Sequence, residues 1–212
     1  MKKVILLFVI LLLFGCTSPT GVDSIFIKEY LNNKYGDDIT FTLSHMESCS
    51  TLVYESCTAF FTASDLGEDK EIYVVWNELD GSDMRDDYLF KKYDSQLREY
   101  YKNLISKVVK NKFTIDVQSN KSDLSWDKNL TFEEFLKFEK LNLGISINIA
   151  NNDEDITSIG DDLKALFKKN KLKNISSLYI TTYKKGCNLE ELDKCKKVNS
   201  AYIEVKITDK FH

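Results

Sequence analysis

Leu143-Gly144-Ile145-Ser146-Ile147-Asn148-Ile149 alternates an aliphatic residue with a small or polar one along its whole length. Successive side chains of a strand point to opposite faces, so a period of two describes a strand with one face in a core and the other toward water. Helix signals flank it. Thr131 with Glu134, and Ser158 with Asp161, fit the capping box, in which a hydroxyl and a carboxylate three residues apart satisfy each other's backbone N–H groups. The first opens a short helix and the second a helix running to about Lys171. Beyond it, Ser177 to Tyr183 and Tyr202 to Thr208 read as strands, the latter with Ile203, Val205 and Ile207 inward and Glu204 and Lys206 outward.

Upstream the same alphabet recurs. Ile39, Phe41 and Leu43 are separated by threonines, Leu52 to Ala63 is rich in β-formers, and Glu71 to Trp76 is nearly continuous apolar sequence, with Gly67-Glu68-Asp69 as a turn. Phe113, Ile115 and Val117 make a further short strand. Ser24 to Tyr35 predicts a helix carrying Phe26, Ile27, Tyr30 and Leu31 on one face and Gly36 as its stop. From Asp87 to about Lys110, Leu89, Tyr93, Leu97, Tyr100, Leu104 and Val108 recur at steps of three or four, the clearest amphipathic helix in the chain. Strands in groups with few helices imply an α+β fold, mostly antiparallel, with the long helix packed on one side. Residues 24–117 and 131–212 read as two α+β halves, one domain or two, and polar 118–130 as a linker between them.

The N-terminus carries the most specific signal. Lys2 and Lys3 precede an apolar run from Val4 to Phe14, too short for the roughly 20 residues a spanning helix needs, and polar Thr17-Ser18-Pro19-Thr20-Gly21 follows. Leu13-Phe14-Gly15-Cys16 resembles the bacterial lipobox, in which cleavage before the cysteine leaves a lipidated N-terminal residue. The resemblance implies that residues 1–15 are a signal peptide and that 16–23 are an acylated Cys16 with its tether. It further implies a chain held on the cell membrane, facing the extracytoplasmic side, or on the outer membrane if the envelope has two. Two or three acyl chains, at roughly 0.8 kcal/mol per buried methylene, make such an anchor stable.

Four cysteines remain, Cys49 with Cys57 and Cys187 with Cys195, each pair enclosing seven residues. An even number in an exported chain suggests disulfides, and short loops favour the two local pairings over the other connectivities or free thiols. Cys187 to Cys195 then forms a stapled excursion of about two helical turns, bearing Glu190 and Glu191.

With Lys2 and Lys3 removed, the 29 basic residues fall to 27 against 33 acidic ones, a net charge of −6. Nucleic acid is therefore not an expected partner, since phosphate binding needs clustered Lys and Arg in excess. Catalytic motifs are missing: there is no GxSxG, HExxH, P-loop or GxGxxG, and the histidines are His45 and chain-terminal His212. No catalytic residue or cofactor is assigned. Asp80, Asp83 and Asp87 could converge on calcium if their loop curls, but a turn at Asp80-Gly81 and a helix cap from Asp86 or Asp87 account for the same residues more simply. A carboxylate pair for glycan cleavage is a third use. Adjacent Tyr100 and Tyr101 cannot both face the core, and aromatics beside acids suit protein-binding surfaces. A lipobox followed by an acidic, Tyr-rich α+β domain is similar in layout to small lipoprotein immunity factors of Gram-positive bacteria. That layout implies a non-enzymatic factor that binds a protein partner at the membrane surface. A ligand-binding or envelope-assembly lipoprotein, and then a cell-wall or glycan-acting enzyme, are the alternatives.

Overall fold

Backbone pairing sorts the strands into two four-stranded sheets taken in chain order, β1 to β4 and β5 to β8. The computed structural model describes residues 24–50, 56–67, 69–77, 81–119, 129–138, 141–150, 155–172 and 174–205, without the side chains of 48–50. Residues 1–23, on which the expected signal peptide, lipidated Cys16 and tether fall, lie outside these residues.

Helix α1 (Ser24–Tyr35) spans the predicted residues and buries Ile27, Leu31 and Tyr35, but leaves Phe26 52% exposed, on the opposite side from the expected one. Strands β1 (Phe41–Ser50), β2 (Ser56–Ala63), β3 (Glu71–Asn77) and the two-residue β4 (Arg85–Asp86) form an antiparallel meander. Alternation is clean in β2 and β3, where Cys57, Ala59, Phe61, Ile72, Val74 and Trp76 point inward. His45, on edge strand β1, stacks on Phe60 at 4.4 Å and is half exposed, an ordinary sheet-edge residue.

Helix α2 (Tyr88–Ile105) follows and buries Leu89, Tyr93, Leu97, Tyr101 and Leu104. It touches β3 of the first sheet and β5 (Phe113–Ser119) of the second. The second sheet continues with a short helix α3 (Phe132–Leu136), β6 (Leu143–Ile149), helix α4 (Ile156–Lys169), β7 (Ile175–Tyr183) and β8 (Lys197–Glu204). The capping box of α3 forms as read from Thr131 and Glu134. That of α4 does not: Asp155, three residues before Ser158, accepts the N–H of Thr157 at 2.9 Å and starts the helix earlier. Strands β6 and β7 run parallel because α4 carries the chain back across the sheet, and the other pairings are antiparallel. The fold is α+β.

Pairing of β5 with β6 corrects the expected division at residue 118, since Phe113–Val117 belongs to the second sheet and not to the first half. Most of the proposed linker lies outside the described residues. Its far end, Leu130, is buried, and its carbonyl accepts the Tyr93 hydroxyl at 2.7 Å. Buried residues from both sheets and from α1, α2 and α4 belong to one contiguous hydrophobic cluster.

Helix α4 lies on β7 and β8, and Gly160 is where it comes closest. A Cβ there would sit 2.1 Å from Ile203 Cδ1 and 3.9 Å from Ile180 Cδ1. Gly160→Val is expected to lower unfolding stability by about 2 kcal/mol, because overpacking forces Ile203 off its rotamer. Urea denaturation measures this, and an unchanged midpoint would mean that α4 does not press on β8 there.

Candidate interaction surface

The outer face of the second sheet has a clear row structure, set by register. Gln118, Gly144, Ser177 and Glu204 lie side by side across β5, β6, β7 and β8, and the next row is Asp116, Ser146, Tyr179 and Tyr202. The inward-facing neighbours Leu143, Ile145, Ile147, Leu178 and Ile180 are at most 1% exposed, so the alternation read from β6 continues into the middle of β7. Small side chains in the first row leave a shallow hollow of ≈ 450 Å³ bordered by Tyr202 and Glu204. Directly opposed across β7 and β8, Tyr179 is 41% and Tyr202 68% exposed. Lys197 donates to the Tyr179 hydroxyl at 3.1 Å, and this contact holds the phenol below its ordinary pKa. Large aromatics with wet hydroxyls are enriched at protein interfaces because they bring apolar area at little entropic cost.

Cys187 and Cys195 are joined, with Cα atoms 5.7 Å apart, and staple the loop between β7 and β8. The loop holds a single 3₁₀ turn, Leu192–Lys194, in place of the two helical turns expected. Leu189, 3% exposed, pins it to the body, while Glu190 and Glu191 are exposed as a binding role requires. The loop is not acidic overall: Lys184, Lys185, Lys194 and Lys196 border a hollow of ≈ 460 Å³ with Glu191. The Glu191–Lys194 pair at 2.8 Å is exposed at both ends and contributes little to stability. Replacing both Cys187 and Cys195 with serine is expected to cost about 2–3 kcal/mol, the loop-closure entropy of a ring this size. Comparing unfolding of the oxidised chain and the double variant tests this, and equal stability would contradict it. Cys57 is also disulfide-bonded. The β1–β2 register sets Ser48 and Cys49 across from it, although the Cys49 side chain lies outside the described residues.

Of the calcium candidates, the two that are described differ in setting. Asp80 lies outside the described residues, Asp83 is exposed at φ +55°, and Asp87 is 2% exposed and turned inward, where it accepts the Tyr73 backbone N–H at 2.8 Å. Among the described residues no group of three or more His, Cys, Asp or Glu could hold a metal ion. Nor does Asp87 cap α2 with its side chain. Its neighbour Asp86, fully buried, accepts the Tyr88 N–H at 3.1 Å and ties down α1. The hydroxyls of Tyr30 (2.8 Å) and Tyr35 (2.6 Å) and the Lys34 ammonium (2.7 Å) all donate to it. Burial pushes the Asp87 carboxyl up to about 7; the Tyr73 N–H and Lys91, 3.8 Å away, oppose the shift, and Asp86 adds to it. Sequence alone offered no sign of this node, because its side-chain donors lie more than 50 residues from Asp86.

Of the tyrosine pair, Tyr101 is fully buried and its hydroxyl donates to Asn174 Oδ1 at 3.3 Å, which removes it as a binding residue. Burial raises its phenol pKa. Tyr100 is half-buried and packs edge-on against it at 5.2 Å. It lines a hollow of ≈ 450 Å³ with Leu136, Phe138 and Leu172 as apolar walls and Glu133, Lys137 and Lys171 as charged neighbours.

No family model and no curated protein matches the chain. Among solved structures it is similar to a DUF5037 family protein from Ruminococcus gnavus ATCC 29149, at 13% identity and a TM-score of 0.35, over 76% of this chain and 74% of that one.

Proposed function

We propose that the chain is an extracytoplasmic lipoprotein, anchored to the cell membrane through acylated Cys16, whose folded domain binds a protein partner in the manner of an immunity-type factor. The observation that carries the binding role is the exposed Tyr179–Tyr202 pair on the outer face of the second sheet. The pair sits on two rigid strands, and the stapled loop with Glu190 and Glu191 closes the same hairpin. A surface held in one conformation loses little entropy on binding. The extracytoplasmic location rests on the lipobox residues, and the Cys187–Cys195 disulfide supports it, since such bonds persist in oxidising compartments. Among the described residues no helix is long and apolar enough to cross a membrane.

Capture from envelope and culture fluid tests the reading, with the chain from Cys16 onward set beside its Tyr179→Ala, Tyr202→Ala counterpart. One stoichiometric protein retained by the parent and lost from the variant is the expected result. Equal retention by both would move the partner off this face. The Tyr100 hollow favours one other use, the capture of a small amphipathic ligand, because it joins apolar walls to both signs of charge. Soaking with such ligands would then shift the fluorescence of Tyr100 neighbours and leave Tyr179 and Tyr202 unaffected.

A further inference from the structure

We infer that the first turn of α1 docks on the surface of the membrane that holds the lipid anchor, seating Ile25 and Phe26 among the lipid headgroups. The inference rests on the reading of Cys16 as the acylated residue. Ile25 is 63% exposed and Phe26 52%, neighbouring large apolar side chains on a helix whose other apolar residues, Ile27 and Leu31, are fully buried. They open the first element after the tether. Eight residue steps separate Cys16 from Ser24, a reach of at most about 28 Å fully extended and about 16 Å as a flexible coil. A contact between two side chains and lipid is weak for a protein free in solution. A tether this short raises the effective concentration of bilayer at α1 into the range where weak contacts fill. An aromatic and an aliphatic residue beside exposed Lys28 suit the interface, where apolar groups meet acyl chains and a cation meets headgroup phosphates.

The rest of the structure gives this contact a mechanical consequence. Helix α1 is fixed to the domain by buried Ile27, Leu31 and Tyr35, and by the donation of Tyr30, Lys34 and Tyr35 to Asp86. Seating its first turn therefore holds the whole domain at one attitude to the membrane. Lipid at Cys16 alone would leave the domain swinging on its tether. Docking at α1 turns a flexible leash into an oriented mount.

The test uses the acylated chain reconstituted in vesicles of phosphatidylcholine and phosphatidylglycerol, with Phe26→Trp compared against the parent, which already contains Trp76 and Trp126. The added tryptophan is expected to emit to the blue of its position in detergent-free buffer, and lipids brominated high on the acyl chain should quench it about twofold more than they quench the parent. Quenching no greater than the parent's would overturn the inference. Mass measurement of the same preparation reports the acyl groups separately. If Cys16 carries none, coupling its thiol to a maleimide lipid supplies the tether, so that failure of the anchor and failure of the docking are read apart. On the same vesicles, Ile25→Ser with Phe26→Ser should speed tryptic cleavage after Lys28 several-fold, and an unchanged rate would count against docking.

Discussion

Asp86→Ala is expected to lower unfolding stability by about 3–5 kcal/mol, the cost of breaking a buried ion pair by removing one partner. Its carboxylate is fully buried and Lys34 is 5% exposed, 2.7 Å away, so water reaches neither charge. With alanine in place, a buried ammonium loses the carboxylate 2.7 Å away, the Tyr35 hydroxyl loses its bond to Asp86, the Tyr30 hydroxyl keeps the longer 3.2 Å bond to the Met84 carbonyl, and the first N–H of α2 loses its cap. Helix α1 should also fray before the body unfolds, because three of its side chains converge on that one group. Urea unfolding followed by circular dichroism gives the total, and hydrogen exchange at Ile27 and Leu31 reports the local loss. For comparison, Asp38→Ala on the exposed turn after α1 should stay within about 0.5 kcal/mol of the parent. A loss below about 1 kcal/mol for Asp86→Ala would mean that the polar node does not hold α1.

The second large effect comes from the adjacent residue and depends on pH. Asp87 titrates near 7 in the native state against an ordinary 3.8, so the folded chain holds a proton that the unfolded chain has released. Where the native state binds more protons, stability falls as pH rises. The stabilisation is complete below about pH 4, is lost progressively up to about pH 7, and changes no further above that. At 1.36 kcal/mol per pKa unit the full swing is on the order of 4 kcal/mol. Asp87→Asn keeps an oxygen for the Tyr73 N–H and removes the ionisation. Relative to the parent it should gain stability steadily from pH 4 to 7 and then hold a constant advantage of a few kcal/mol at pH 8. A difference between the two chains that does not vary with pH would contradict the shift. The physical origin is simple: burial penalises the ionised form more than one N–H and a half-exposed Lys91 can repay.

How much of this was legible depended on whether the signal was local. Leu143–Ile149, Ser24–Tyr35 and the Thr131–Glu134 capping box were readable because each is decided by residues within one turn or one strand. Ser158 with Asp161 carried the same pattern and failed, because Asp155 is an equally good cap and lies nearer the apolar start at Ile156. Burial on the right face was less secure. The helical spacing allowed Phe26 to join Ile27 and allowed Tyr100 to face the core, whereas packing chose Ile27 alone and Tyr101. One position on a helix is a rotation of about 100°, and sequence does not say where the neighbours lie. The parallel β6–β7 pairing follows from the intervening helix and could have been read from strand-helix-strand order. Joining β5 to β6 is a long-range choice that no local pattern encodes.

The candidate site divides in the same way. The stapled loop was foreseen because cysteine spacing is a covalent signal. Tyr179 and Tyr202 were visible only as tyrosines on two late strands, and it took the register to set them opposite one another on the wet face. Asp86 and Asp87 were read as candidate caps of the long helix, with no sign that either is buried. Asp86 lies on β4, a strand of two residues in which it pairs with Val74 and meets the side chains of α1, and Asp87 follows it inward to the Tyr73 N–H. So short a strand has no periodicity to detect.

Intact mass and N-terminal peptide analysis of the chain, taken from membranes of a lipoprotein-processing bacterium, reads the proposed acylation of Cys16 itself. The expected chain begins at Cys16 and carries a diacylglyceryl group, with or without a third acyl chain. A chain that retains residues 1–15, or one that begins elsewhere with Cys16 unmodified, would contradict it.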